Sequence, residues 1–522
     1  MNKNLEERLR ALATNGPPDV LWGGLKGVEK EALRVDTEGN LSNRPHPVAL
    51  GSALTNKYIT TDFSEALLEF VTPAFANTWE TLRFLCDIHQ FAYANLDDEL
   101  LWVTSMPCVI PDDERIPLAR YGRSNIGKMK TLYRRGLGYR YGRAMQTISG
   151  VHFNYSLPDV FWPAYCAIAG NGRNLDEFRS ASYLGLIRNF RRLGWLILYL
   201  FGASPALCKS FVGKSSANLA SFDEHTFFEP YATSLRMSDL GYSNKTQAGI
   251  NISLDSLDEY VRDLRAAIHT IEPAYEKIGV KVNGEYRQLN ANKLQIENEY
   301  YSPVRPKRVA MSGEKPTEAL LRGGIEYVEI RSLDVNVFDP VGVNQNVMRF
   351  VEALLIYCLL SDSAPIQENE WQAILRNHMQ TARRGRDPDF RLLRSGSEVA
   401  LRDWAAEIVE GVAAVAELID RGDGKGDYSA AVRAQAALVA DPDATPSARV
   451  LADMRDQGTG FFYYALAAAK GHRDYFADLA PMQPERLDGL RREANESLDR
   501  QARIEASDET GFDEFLEHYF NA

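Results

Sequence analysis

Residues 25–35, LKGVEKEALRV, alternate between apolar and charged positions and run into the turn sequence DTEGN at 36–40. Alternation with a period of two, followed by Gly and Asn, predicts a β-strand that ends in a tight turn. Glu29 and Glu31 then project from the same face of that strand. Carboxylates are uncommon in strands, so this face is expected to be either a solvated surface or a functional site.

Further segments have the same strand-like character. They are YITTDFSEALLEFVTP at 58–73, TISGVHFNYSL at 147–157, LQIENEYYSPV at 294–304 and GGIEYVEIRSLDV at 323–335. Strand periodicity places several polar pairs or triplets on shared faces. These are His152 with Asn154, Glu329 with Arg331, and Glu297 with Glu299 and Tyr301. Asp62 and Glu69 have opposite parity, so they share a face only if a bulge or turn intervenes.

Two interpretations of these charged faces are open from alternation alone. Carboxylates gathered on one surface could hold Mg²⁺, which prefers oxygen ligands and often also binds substrate phosphates. Arg331 on that surface could then bind a phosphate or carboxylate through two hydrogen bonds. Alternatively, the strands form an antiparallel sheet with one solvated face, on which Glu and Arg residues only pair across strands.

The rest of the chain predicts an α+β fold. Helical spacing is found at 1–14, 78–98, 176–201 and 255–271, and the chain is almost wholly helical after residue 342. Regions 100–145 and 202–247 are rich in Gly, Arg and Ser or Pro and are expected to be irregular. We expect a sheet-bearing catalytic region at 1–341 and a helical region at 342–522 packed on it, the two forming one integrated domain.

Composition and charge limit the classes of partner. The 522 residues include 59 Lys+Arg and 71 Asp+Glu, which gives a net charge of −12. This acidic balance argues against nucleic-acid or anionic-membrane binding. The five cysteines are widely spaced and contain no CxxC pair. We therefore expect no disulfide framework or zinc site, no signal peptide at the charged N-terminus, and a cytoplasmic location.

Common nucleotide-binding motifs are missing from the sequence. CKSFVGKS at 208–215 has Cys where a P-loop requires its first Gly, and GLGYRYG at 136–142 has its last Gly one position late. Neither an HExxH zinc motif nor a GxSxG nucleophile motif is present. Any bound ATP must therefore be held through metal ions and side chains.

Several long blocks, in order over about residues 20–350, closely resemble the proteobacterial type of glutamate–cysteine ligase. They are GVEKEALRV, LGSALTNKYITTDFSEALLEFVTP, TLYRRGL, MQTISGVHFNYSLP, FGASPALC, YATSLRMSDLGYSNK, LQIENEYYSPVRPKR and LLRGGIEYVEIRSLDVN. The resemblance implies a curved, mostly antiparallel six-stranded sheet that forms a funnel, similar to glutamine synthetase. It also implies that the inner face holds Mg²⁺, or Mn²⁺, against the phosphates of ATP.

The resemblance assigns roles residue by residue. Metal-binding positions are matched by Glu29, Glu31, Asp62, Glu69, His152 and Glu329. The cysteine pocket is matched by Phe63, Tyr133, Leu137, Tyr242 and Tyr301. Arg331 matches the position that meets the transferred phosphate, and Arg236 matches the arginine that binds a substrate carboxylate.

The implied reaction joins the γ-carboxylate of L-glutamate to the amine of L-cysteine through γ-glutamyl phosphate, with ATP converted to ADP, as the first step of glutathione synthesis. Glutathione is a feedback inhibitor of many family members, and we expect a monomer. Two alternatives stay open: a carboxylate–amine ligase of the same fold with another acceptor, and a non-catalytic nucleotide-binding module.

Overall fold

The computed structural model describes residues 3–107, 109–110, 112–170, 172–212, 219–241, 247–311 and 313–521. The strands are β1 (Leu25–Val35), β2 (Ile59–Thr61), β3 (Leu67–Val71), β4 (Leu100–Leu101), β5 (Gly150–Ser156), β6 (Ala206–Cys208), β7 (Ala220–Ser221), β8 (Thr226–Phe228), β9 (Lys281–Val282), β10 (Glu285–Tyr286), β11 (Val304–Lys307), β12 (Tyr327–Asp334), β13 (Arg391–Arg394) and β14 (Ser397–Ala400).

The helices alternate with these strands in the first two thirds of the chain and dominate the last third. They are α1 (Lys3–Asn15), α2 (Thr78–Tyr93), α3 (Asn125–Tyr141), α4 (Phe161–Ala169), α5 (Leu175–Leu193), α6 (Trp195–Phe201), α7 (Lys209–Val212), α8 (Leu257–His269), α9 (Pro273–Ile278), α10 (Pro316–Gly323), α11 (Gln345–Leu360), α12 (Glu368–Arg384), α13 (Leu401–Asp420), α14 (Asp427–Ala440), α15 (Pro446–Asp456), α16 (Phe461–Asp478), α17 (Pro484–Ala506) and α18 (Phe512–Asn521).

The main sheet is antiparallel throughout, with the strand order β11–β12–β5–β1–β3–β2. The short strand β4 pairs with the end of β1 and makes a seventh strand. The predicted α+β fold with an antiparallel sheet and a helical C-terminal region is therefore confirmed. The predicted strand at 25–35 coincides with β1.

Strand β1 is buried on both faces, which simple alternation does not reveal. Glu29 and Glu31 lie on one face, while Lys26, Lys30 and Arg34 lie on the other among apolar side chains. Each of these buried cations has a polar partner, because an unpaired buried charge is very costly. The partners are Glu352 for Lys26, His89 for Lys30 and Glu99 for Arg34.

Helices of the C-terminal region cover this second face. Helix α11 contacts α5, α13 and α14, and α16 packs against α2. A single hydrophobic cluster includes Val28 of β1, Phe153 of β5, Leu354 of α11 and Val412 of α13. The helical region thus supplies part of the core on which the sheet rests, and the division at residue 341 stays a prediction.

Two local predictions were wrong. The region 100–145, expected to be irregular, contains helix α3, whose N-terminus is capped by Ser124. The segment 294–304, expected to be a strand, forms a 3₁₀ turn at Glu297–Glu299, and the strand begins only at Val304. Glu297, Glu299 and Tyr301 therefore do not lie on one face of a strand.

Four of the five cysteines lie within the described residues. Cys86, Cys166 and Cys358 are free thiols, whereas Cys208 is disulfide-bonded, a bond that the wide cysteine spacing did not predict. Among the described residues, no helix has the length and apolar character needed to cross a bilayer.

Candidate active site

The acidic residues of β1 meet polar residues of β5 and β12 on one face of the sheet. Glu29 is paired in register with His152, and Glu329 with Asn154. His152 Nδ1 lies 3.0 Å from Glu29 Oε2, and Asn154 Nδ2 donates to Glu29 Oε1 at 2.9 Å. His152 Nε2 lies 3.8 Å from Glu31 Oε1. The three strands thus bring together residues that are far apart in sequence.

A turn between β2 and β3 brings Asp62 and Glu69 to the same site. The Asp62 N–H donates to the carbonyl of Leu67 at 3.0 Å, and the Leu67 N–H donates to the carbonyl of Ser64 at 2.9 Å. Glu69 lies opposite Glu31 in the β1–β3 register. This is the intervening turn that the opposite parity of Asp62 and Glu69 required.

The carboxylates at this site have pKa values that are shifted in opposite directions. Burial, followed by repulsion from Glu29, Asp62 and Glu31, holds the pKa of Glu69 well above its usual range. Burial also raises the pKa of Glu31. For Glu29, burial is outweighed by the His152 hydrogen bond and nearby positive charge, so its pKa is lowered. The β1–β3 side of the site therefore contains more negative charge than the protein itself compensates.

Glu329 lies on the positively charged side of the site. Lys307 Nζ is 3.2 Å from Glu329 Oε1, and Arg331 Nη1 is 3.3 Å from Oε2, with Arg305 Nη1 at 4.0 Å. Burial opposes ionisation of Glu329, but these three cations outweigh it and hold its pKa well below its usual range. Arg305 and Lys307 are two residues apart on β11, so strand periodicity in the segment VRPK places both on one face.

The donor set fits a divalent cation. Glu29, His152 and Glu329 each offer one ligand atom, and these atoms lie within 4.8 Å of one another. Glu329 Oε2 is buried, and within the described residues Arg331 and Arg305 approach it as ion-pair partners without a hydrogen bond, which leaves it able to bind a metal ion. Carboxylate oxygens with one imidazole suit Mg²⁺ or Mn²⁺. Glu31, Asp62 and Glu69 would offer further oxygen ligands beside this group.

A cavity of about 300 Å³ opens onto these side chains. The predicted residues that line it are Glu29, Glu31, Asp62, Phe63, Glu69, Tyr133, Leu137, His152, Tyr301, Glu329 and Arg331. The sequence assigned no site role to other lining residues, among which are Arg134, Tyr141, Gln146, Glu299, Arg305 and Lys307. Tyr242 lies outside the described residues.

Arg236 is buried behind the cavity wall and is not among its lining residues. It lies on a 3₁₀ turn at Leu235–Met237, and its Nη2 donates to the carbonyl of Arg331 at 3.0 Å. Asp334 Oδ1 is 3.7 Å from Arg236 Nη1. A Cβ atom at Gly150 would overlap the guanidinium, so the glycine leaves the space that Arg236 occupies.

Carboxylate oxygens and imidazole bind divalent cations, and the guanidinium and ammonium groups beside them bind phosphates. The fold and the site together therefore define the chemistry of a phosphate-handling enzyme.

Comparison with known proteins specifies the family. The family model of glutamate–cysteine ligase matches residues 9–381. The glutamate–cysteine ligase of Alcanivorax borkumensis is 47 % identical over 529 residues, covering 99 % of this chain and 100 % of that protein. That of Pseudomonas paraeruginosa is 47 % identical over 519 residues, covering 99 % and 98 %.

A solved structure agrees with these matches. The crystal structure of a glutamate–cysteine ligase from Francisella tularensis, in complex with AMP, has a TM-score of 0.90 and 35 % identity. The match covers 96 % of this chain and 98 % of that chain. The chain belongs to the glutamate–cysteine ligase family, and the resemblance found in its sequence is confirmed.

Proposed function

We propose that this chain joins the γ-carboxylate of L-glutamate to the amine of L-cysteine, with ATP hydrolysed to ADP and phosphate. Membership of the family supports the reaction. The observation that carries the site assignment is the Glu29–His152–Glu329 group, whose ligand atoms lie within 4.8 Å of one another beside Arg331 and Lys307. A metal ligand set next to phosphate-binding cations is what a reaction between ATP and a carboxylate requires.

The reaction proceeds in two steps, phosphorylation of the carboxylate and then formation of the amide. An oxygen of the glutamate γ-carboxylate attacks the γ-phosphorus of ATP, the bond to the β-phosphate oxygen breaks, and ADP leaves. The amine of cysteine then attacks the acyl carbon, the carbon–oxygen bond to phosphate breaks, and the proton lost by the amine as the amide forms passes to the released phosphate or to water. Activation is necessary because oxide is a very poor leaving group and phosphate is a good one.

The chain's own side chains have distinct roles in this proposal. Arg331 and Lys307 stabilise the charge that develops on the transferred phosphoryl group. Glu29, His152 and Glu329, with Glu31, Asp62 and Glu69, hold Mg²⁺, or Mn²⁺ in its place. The bound ion supplies neutralisation of the ATP phosphates. Arg236 is assigned to a substrate carboxylate by resemblance, and its buried guanidinium acts on the site through the carbonyl of Arg331, to which its Nη2 donates at 3.0 Å.

The cysteine pocket is assigned to apolar and aromatic side chains that line the cavity, Phe63, Tyr133, Leu137 and Tyr301, with Tyr242 by resemblance. A small, weakly polar thiol suits such a wall. We further propose a cytoplasmic monomer in which glutathione competes with L-glutamate. A competition assay with glutathione against increasing L-glutamate tests this last statement.

The deciding experiment measures ADP release with ATP, Mg²⁺ and L-glutamate, adding L-cysteine, L-serine, glycine or no acceptor. Release that depends on cysteine and yields a γ-linked dipeptide is the expected result. Equal release with another amine would keep the fold and the phosphoryl chemistry but change the acceptor. Bound nucleotide without any release would overturn the enzymatic assignment.

A further inference from the structure

A buried ion pair connects helix α3 to the 3₁₀ turn at Glu297–Glu299. Arg140 Nη1 donates to Glu299 Oε1 at 2.9 Å, and the two side chains are 0 % and 1 % exposed. Glu299 borders the cavity, but the proposed reaction does not use it. A fully buried pair this close to a substrate site needs a specific explanation, because replacing such pairs with apolar residues is often neutral for stability.

Both oxygens of Glu299 already have donors within the protein. The hydroxyl of Tyr141 donates to Oε1 at 2.6 Å, and the N–H of Gln295 donates to Oε2 at 2.7 Å. Arg140 is equally occupied, since it donates to Gln288 Oε1 at 2.9 Å and to the carbonyl of Asn290 at 2.7 Å. The pair therefore holds two backbone segments together and is not arranged to exchange protons with a substrate.

A second contact joins the same two segments. Gln295 Nε2 donates to the carbonyl of Tyr133 at 3.2 Å, and its Oε1 accepts from the N–H of Leu289 at 3.0 Å. A Cβ at Gly136 would overlap the Gln295 amide, so the glycine allows α3 to approach this closely. The glycine at position 136 of α3 therefore permits the contact with Gln295.

The joined segments each carry side chains of the proposed acceptor pocket. Tyr133 and Leu137 project from α3, and Tyr301 follows Glu299 by two residues. Gln247 reinforces the second side, because it accepts from the N–H of Tyr301 at 2.8 Å and donates to the carbonyl of Glu299 at 2.8 Å. The Arg140–Glu299 pair thus fixes α3 relative to the turn that precedes Tyr301.

We propose that Arg140 and Glu299 are positioning residues that set the width of the acceptor pocket and thereby its selectivity for L-cysteine. This inference rests on the proposed function, which assigns Tyr133, Leu137 and Tyr301 to that pocket. Substrate discrimination by a small apolar pocket depends on close fit, so a small change in wall separation affects the acceptor first.

The test is steady-state kinetics of Glu299→Gln and Arg140→Lys with each of the three substrates varied in turn. The KM for L-cysteine is expected to rise about 10- to 100-fold, as for a misplacement on the ångström scale. The KM values for ATP and L-glutamate are expected to stay as in the wild type. The preference for L-cysteine over L-serine and L-2-aminobutyrate is expected to fall. Arg140→Lys keeps the charge and provides a second test if Glu299→Gln does not fold.

A matched control is available on the other face of the sheet. Glu352 is also buried, pairs with Lys26 at 3.0 Å and accepts from the hydroxyl of Tyr428 at 2.7 Å. Glu352→Gln should lower thermal stability without changing the KM for L-cysteine or the acceptor preference. Equal changes in all three KM values for Glu299→Gln, or a change in kcat alone, would overturn the positioning role.

A further variant separates this inference from the function on which it rests. Leu137→Ala alters the pocket wall directly and should raise the KM for L-cysteine. If it does so while Glu299→Gln and Arg140→Lys leave that KM unchanged, the pocket assignment stands and the positioning inference is wrong. If Leu137→Ala also has no effect on acceptor binding, both are wrong.

Discussion

Glu29 and His152 face each other directly across the antiparallel strands β1 and β5, with His152 Nδ1 3.0 Å from Glu29 Oε2. Arg331 Nη1 lies 3.4 Å from the same His152 nitrogen. The imidazole thus lies between the acidic side of the site and its cationic side. This arrangement follows from the register of three strands, so the site depends on correct pairing of the central sheet.

Removing one carboxylate charge from this group is expected to abolish ligation while preserving the fold. Glu29→Gln and Glu329→Gln each keep the side-chain size but remove a charged oxygen ligand. We expect turnover to fall by more than the roughly 10- to 100-fold typical of residues that only support a metal ligand. Mg²⁺ titration of ADP release, with circular dichroism as the folding check, measures both effects. Near-normal turnover at saturating Mg²⁺ would contradict the metal assignment.

Glu326 provides a control for the loss of one carboxylate charge near β12, the strand that carries Glu329. Glu326 precedes β12, and its carboxylate lies 3.6 Å from Arg308, away from the lining of the cavity. Glu326→Gln removes the same charge without removing a proposed ligand. Its Mg²⁺ dependence and turnover should match those of the wild type.

Replacing Arg331 tests stabilisation of the transferred phosphate. Arg331→Ala removes a guanidinium that contacts Glu329 on the exposed side of the cluster, where its side chain is 23 % exposed. Loss of one charge-stabilising donor typically costs about 2.7–4 kcal/mol in the barrier, which is roughly 10²–10³-fold in kcat. Single-turnover measurement of ADP formation checks the chemical step. The surface residue Arg322, paired with Glu314 at 2.7 Å, is the control, and Arg322→Ala should leave kcat unchanged.

Much of this site could be predicted from the sequence because its residues lie on β-strands, in which successive side chains alternate between the two faces. Alternation placed Glu29 with Glu31 and Glu329 with Arg331 on shared faces, as the structure has them. It did not exclude a solvated surface, and only the family resemblance favoured a site. The pairing of β1 with β3, β5 and β12 is set by long-range packing, which local pattern does not specify.

The errors have equally specific causes. The segment 294–304 alternates like a strand, but Glu297 is held by Thr317, whose N–H donates to it at 2.8 Å, and Glu299 is held by Arg140. These tertiary contacts favour a 3₁₀ turn over the local preference for a strand. Helix α3 was missed because its three glycines resemble a loop, although Gly136 is required where Gln295 crosses the helix.

The space around Arg236 gives a steric prediction with an internal control. Gly150→Ala places a methyl group where the Arg236 guanidinium lies, so the arginine must move. We expect a higher KM for at least one amino-acid substrate, with little change in the KM for ATP. Gly27 lies on the neighbouring strand β1, and a Cβ there would meet its nearest atoms at 3.7 Å, an ordinary contact. Gly27→Ala should therefore behave as the wild type, and equal effects of the two variants would contradict the role of Arg236.

Acidification is expected to destabilise the protein through His89, which is 1 % exposed. Burial, and then the charge of Lys30 at 3.1 Å, hold the pKa of His89 well below its usual range. The folded chain therefore keeps this imidazole neutral, while the unfolded chain protonates it below about pH 6.5. Because the unfolded state binds more protons, the free energy of unfolding falls with decreasing pH, by about 1.4 kcal/mol per pH unit for this group. His89→Gln keeps an acceptor for Lys30 and should flatten the slope by that amount in urea unfolding between about pH 6.5 and 5. Equal slopes for the wild type and His89→Gln would show that His89 is protonated in the folded chain.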